Sequence, residues 1–252
     1  MEFIIFLILA ITTGYYLWIA GKGAKIRLRM LPQIEAISDG VDKAVEEGKP
    51  VICTPGDKAA LSGMYAPMTI AGMNIYRYVT TLCVQKGARI IGIVPRTPEI
   101  LPLMDGIFRE VTVAEGKPEA YRREDVRFIG KGELVYTVGV MGAIGTEGCS
   151  CFIAIGANSS GTSTPSGFAR LYGALTITGT ARWGMNGTFA MFSDYFLPME
   201  DIYTAGALCS DDVEAQASIY GGDITKLIVV AIMVLGSILS KMGLPILNWM
   251  GI

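Results

Sequence analysis

Hydrophobic positions along this chain fall into three kinds of block. Two long apolar runs stand at the ends, and short ones alternate between them. Phe3 to Ala20 (FIIFLILAITTGYYLWIA) carries no charge. At 1.5 Å per helical residue this run reaches about 27 Å, enough for a thin hydrocarbon core. Leu227 to Ser240 (LIVVAIMVLGSILS) is the second run, with Lys226 before it, Lys241 after it and MGLPILNWMGI beyond.

Between the ends the period switches repeatedly. Ile34, Ile37, Val41 and Val45 recur at helical spacing from Pro32 to Glu47, and Gly48 stops that helix. Val51-Ile-Cys-Thr54, bounded by Pro50 and Pro55, reads as a buried strand. A helix over Pro67 to Lys86 ends at Gly87, and Arg89-Ile-Ile-Gly-Ile-Val94 is a second strand. Thr97-Pro98 starts a helix whose buried face is Ile100, Met104, Ile107, Phe108 and Val111. Val126 to Ile129 is a third strand. Glu133 to Gly148 is an apolar helix rich in small residues, and Cys151 to Ile155 a fourth strand. Ala157 to Ser166 reads as a polar loop, Pro165 to Gly173 as a short helix and Ala174 to Thr178 as a fifth strand. Phe189 to Phe196 is undecided, and Pro198 to Tyr220 is helical.

Strands written as continuous apolar runs, each followed by a helix, predict an α/β domain. Its mostly parallel sheet is covered by helices on both faces, in a Rossmann-like three-layer arrangement. Strand order does not follow from the pattern. The expected organisation is an N-terminal transmembrane anchor over 1–22, an α/β domain over 23–222 and a membrane-embedded segment over 223–252.

Charge order sets the topology. Glu2 precedes the first run, while Lys22, Lys25, Arg27 and Arg29 follow it. A cleaved signal peptide has the opposite order, so a retained anchor is predicted, with the N-terminus outside and the main domain cytoplasmic. Tyr15, Tyr16 and Trp18 suit the headgroup level at the end of this run, as does Trp249 at the far end of the chain. The C-terminal run has three placements. A span to about Ser240 leaves Lys241 snorkelling. A tilted crossing of the whole segment turns Lys241 towards a protein partner. A core helix of the soluble domain is the third.

The stretch IRLRMLPQIEAISDGVDKAVEEGKPVICTPG resembles the opening of an uncharacterised prokaryotic family of membrane-anchored proteins. GKPEAYRREDVRFIG and the passage TITGT…FAMFSDYFLPMEDIYTAGALCS are similar to it as well, so the likeness spans about 26–210. Asp57 to Ala66 departs from the pattern. The resemblance implies a membrane-anchored α/β domain of unknown function and transfers no catalytic residue.

Composition narrows the chemistry. The chain has 252 residues, of which 51% are hydrophobic and only 17% charged, and its net charge is −2. No general attraction to nucleic acid follows from such a charge. Histidine is absent, which excludes a His-based triad and His-ligated zinc. Glycine-rich dinucleotide and P-loop fingerprints are absent too. No cofactor or metal is predicted. Cys149 and Cys151 are too few thiols for a metal site without histidine, and the five cysteines form no disulfide framework.

Open α/β sheets bind ligands at the carboxyl ends of their strands. The residues predicted there are Asp57, Arg96, Asn158, Ser159, Ser160 and Thr162. Weak catalytic candidates are Cys149 with Glu147 nearby, and Asp194 in an aromatic setting. Gly139, Gly142, Ala143 and Gly145 suit close packing between copies, and Lys241 suits a membrane partner. Three functional readings follow. The chain is a self-associating scaffold on the cytoplasmic membrane face. Alternatively it is a small-ligand-binding or enzymatic domain using the strand-end loops. The third reading is an accessory subunit of a larger membrane complex. The partners expected are the lipid bilayer, further copies of the chain and a membrane protein.

Overall fold

The computed structural model describes residues 2–23, 28–210 and 212–241, with side chains described from 5 to 237 within those ranges. Lys25, Arg27, Trp249 and the Lys241 side chain lie outside the described residues. The chain divides into two compact units, Met30–Ser210 and the pair of ends Met1–Arg29 with Asp211–Ile252.

The larger unit is a six-stranded parallel sheet. Its strands are β1 (Val51–Thr54), β2 (Ile90–Val94), β3 (Val126–Phe128), β4 (Cys151–Gly156), β5 (Leu175–Thr180) and β6 (Tyr195–Pro198). They lie in the order β3-β2-β1-β4-β5-β6, so the connectivity reverses direction between β1 and β4. There Val51 stands opposite Cys151 and Thr54 opposite Ala154. β1, β2 and β4 are buried at every position, which is why they read as unbroken apolar runs.

Successive strand residues face opposite sides, and the two sides have separate cores. Val51, Cys53, Ile153 and Ile155 pack with α2 (Pro32–Glu47), α3 (Ala66–Lys86), α4 (Leu101–Ala114) and α8 (Asp201–Ser210). Ile52, Ile91, Phe152 and Ala154 pack with α5 (Glu133–Glu147) and α6 (Ser160–Leu171). A short α7 (Asn186–Phe192) lies beside α6.

Two sequence expectations need correction, and one undecided stretch is resolved. The expected loop Ala157 to Ser166 is mostly α6, which starts at Ser160 and contains Pro165. Proline has no N–H for the carbonyl four residues back. That carbonyl, Gly161 O, instead accepts the Thr137 hydroxyl at 3.1 Å. The undecided Phe189 to Phe196 resolves into the end of α7 and a sixth strand. The expected helix Pro198 to Tyr220 is two helices, α8 and the much longer α9 (Val213–Lys241). The predicted division at 222/223 therefore falls inside a helix.

The smaller unit pairs α1 (Glu2–Gly21) with α9. Three contacts set them antiparallel. Thr12 and Thr225 hydroxyls meet at 2.7 Å, Tyr16 and Tyr220 rings lie edge-on at 4.8 Å, and Gly221 sits against the Thr13 backbone. Small residues allow such close helix packing. Lys22 Nζ lies over the Trp18 ring at 3.4 Å, Tyr15 is exposed, and Asp223 pairs with Arg29 at 3.0 Å and with Lys226 at 2.9 Å. Over Val213–Ser237, α9 is long and apolar enough to cross a membrane, and α1 carries a shorter apolar stretch, Ile5–Gly21. Leu227, Val230 and Met233 are exposed, so this part of α9 is not a core helix of the α/β domain.

Candidate functional site

The reversal between β1 and β4 opens the place where a parallel sheet ordinarily receives a ligand. Here the loops after the two strands close on each other. Ala157 N–H donates to Pro55 O at 3.0 Å, and Lys58 N–H to Ala157 O at 2.9 Å. Gly56, at φ +100°, makes this approach possible, because a Cβ there would lie 2.5 Å from the Ala157 backbone.

Asp57 follows and is completely buried. Its carboxylate sits at the N-terminus of α6, accepting the Ser159 N–H at 2.6 Å, the Thr162 hydroxyl at 2.9 Å and the Ser159 hydroxyl. Arg96 Nη1 stands 3.6 Å from the same carboxylate. A helix N-terminus exposes unpaired N–H groups and a partial positive charge, which is what an anionic ligand would seek. Asp57 already supplies that anion from within the chain.

The network continues outward. Arg96 donates to Glu133 at 3.1 Å and to Lys131 O at 3.0 Å, and Ser160 Oγ donates to Glu133 at 2.5 Å. The Ser160 hydrogen bond, helped by the Arg96 charge, holds the Glu133 carboxyl below the usual carboxylate range. Asn158 turns away from this network, its Nδ2 bonding Ala154 O and Gly179 O at 2.7 Å each to tie the ends of β4 and β5 together. Thus five of the six residues expected to bind a ligand join one hydrogen-bonded network, and the sixth braces the sheet beside it. Glu133 and the buried Thr54–Tyr136 hydroxyl pair, at 2.9 Å below the loops, carry no signal in the sequence. Their partners lie tens of residues away, and no local spacing points to them.

The weak catalytic candidates sit elsewhere. Glu147 bonds Arg127 at 2.8 Å and Arg89 at 2.9 Å, and these two guanidiniums hold its pKa low. Such a carboxylate is a poor base. Burial pushes the Cys149 thiol up to about 12, so it stays protonated and unreactive at neutral pH. Asp194 accepts the Thr176 N–H and hydroxyl at 2.9 and 2.8 Å and pairs with Arg170 at 3.2 Å, bracing β5 against α6. Among the described residues no group of three acidic, cysteine or histidine side chains is placed to hold a metal ion.

A family model described as Domain of unknown function (DUF6754) matches residues 1–250. The chain belongs to this family. No curated protein and no solved structure matches it.

This DUF6754 member also carries an exposed apolar face on α5 and its neighbours. α5 carries charge only at its two ends, Glu133 and Glu147, yet one side of it is open to solvent. Leu134 is 79% exposed, and Val135 and Val138 lie beside it. Gly142 and Gly145 continue that side with nothing within 4 Å of a Cβ. Gly139 and Ala143, expected at the same surface, face inward. Gly139 lies against Ile129, and Ala143 belongs to the core under the sheet. Across α6 and α7 lies a groove of about 400 Å³ lined mainly by Met141, Phe168, Leu171, Met191 and Phe192, with Thr164 and Arg170 also in its wall. Leu171 at its rim is 86% exposed.

Proposed function

We propose that this chain is a membrane-tethered module that self-associates through the α5–α6–α7 face. The supporting observation is the exposed, largely apolar surface of those three helices, from Leu134 and Val138 to Leu171 and Met191. An amphipathic helix normally turns a polar side to water, whereas between its terminal glutamates α5 presents mainly Leu134, Val135 and Val138, with Thr146 as its exposed hydroxyl. Contiguous apolar surface on this scale marks a contact site. The strand-end loops offer less to a ligand. Their helix N-terminus is occupied by Asp57, and the Ser159 hydroxyl is both buried and bonded to that carboxylate.

The tether is the α1–α9 pair. In this reading both helices cross the bilayer, and the cations Lys22, Lys25, Arg27 and Arg29 after α1 keep the α/β domain on the cytoplasmic side. Copies held at one height meet side to side, which lowers the cost of association relative to free diffusion. Light scattering of the detergent-extracted chain, with electron microscopy of the same fraction, tests this. A uniform particle of several copies is the expected result. A monomer at all accessible concentrations would overturn the proposal and return attention to the loops.

A further inference from the structure

A second apolar surface lies at the carboxyl edge of the sheet, on the loops that follow β1 and β5. The two loops are neighbours, since the Arg182 guanidinium stands over the Tyr65 ring at 5.8 Å. Each projects its largest side chains outward beside that contact. Met64 is 76% exposed and Trp183 84%, and Leu61 is exposed as well. The β1 loop is not slack. Ala60 N–H donates to the Thr69 hydroxyl at 2.9 Å, and that hydroxyl donates to Tyr65 O at 2.8 Å. These bonds tie down the backbone on either side of Leu61 and Met64, which lie exposed near Ile70 of α3. Lys58 and Arg182 are only partly covered at the rim.

We propose that this edge docks on the bilayer surface, with Leu61, Met64, Ile70 and Trp183 entering the headgroup layer and Lys58 and Arg182 facing lipid phosphates. The residue types match that environment. Tryptophan prefers the membrane interface, and cations flanking apolar side chains add attraction to lipid phosphate. α2 runs from the carboxyl edge towards the amino edge, because Gln33 bonds Phe196 O while Gly40 lies on Cys151 at the foot of β4. α2 thus begins at the edge that carries the apolar loops.

The test uses the full chain in lipid vesicles with Cys209→Ser, the other four thiols being buried. A fluorophore is attached at Trp183→Cys or, as a control, at Val113→Cys. Val113 is exposed in the last turn of α4, towards the opposite edge. Lipids carrying a headgroup nitroxide are the quencher. Quenching several-fold stronger at 183 than at 113 is expected, falling to the control level when Leu61 and Met64 are both changed to Asp. Equal quenching at the two sites overturns the proposal. So does quenching at 183 that survives the Asp changes, since the tether alone would then explain it. Self-association plays no part in this readout.

Discussion

Asp57 Oδ1 accepts the backbone N–H of Ser159 at 2.6 Å, across a gap of about a hundred residues in sequence. One side chain from the β1 loop thereby caps the helix that follows β4 and locks the two loops that flank the reversal of strand order. The relationship is a structural one, and it has a measurable cost. Asp57→Ala leaves the Ser159 N–H and two hydroxyls without their acceptor and removes one partner of Arg96. A loss of about 3 kcal/mol in unfolding free energy is expected. Denaturant unfolding of the variant would show it, and Thr162→Val should cost only about 1 kcal/mol.

Two glycines three residues apart on α5 should respond oppositely to the same change. A Cβ on Gly139 would come within 2.2 Å of Ile129 Cγ2, whereas one on Gly142 meets nothing. Gly139→Ala should destabilise by about 1–3 kcal/mol. Gly142→Ala should stabilise by about 0.5–1 kcal/mol through the helical backbone. Paired thermal unfolding curves decide the matter.

Acid should weaken the amino edge of the sheet. The Glu147 pKa is depressed in the folded chain, first by Arg127 and then by Arg89. A depressed carboxylate contributes stability above its unfolded pKa, about 4.3, and that contribution is lost as pH falls through the folded value. Stability should therefore drop below about pH 4, and Glu147→Gln should flatten that part of the profile while lowering stability at neutral pH.

Thiol chemistry should follow burial. Cys53, Cys83, Cys149 and Cys151 are buried, and burial raises all four pKa values. An alkylating reagent at pH 8 should modify Cys209 alone in the folded chain and all five thiols after denaturation. Modification of Cys149 at the rate of Cys209 would restore it as a nucleophile candidate.

The fold was legible where a local rule governed it. Val51 to Thr54 and Cys151 to Gly156 are buried on both faces, so their composition alone announces parallel strands. β6 was hidden because it is an edge strand. Tyr195 is exposed, Leu197 is buried, and Pro198 ends a segment too short to show a period. The start of α6 was hidden for a different reason. Its N-terminal turn is full of serine and threonine, which suit loops, and the residue that caps it is Asp57. Strand-end logic gathered the right neighbourhood but not its state, since a helix N-terminus filled by the chain's own carboxylate has the same residues as an empty one. On α5 the apolar character was plain, but which glycine faces inward was not. Every neighbouring position is apolar, so the periodicity carries no contrast between Gly139 and Gly142.

Contact between copies through the α5–α6–α7 face is tested by a matched pair of variants. Gly142→Leu and Val138→Lys change exposed positions of α5 without touching the core, so the fold should survive both. Light scattering of the detergent-extracted chain and the two variants is the measurement. A multi-copy particle is expected for the parent chain and a monomer-sized one for each variant, with unchanged far-ultraviolet circular dichroism. Particles of unchanged mass in both variants would contradict it.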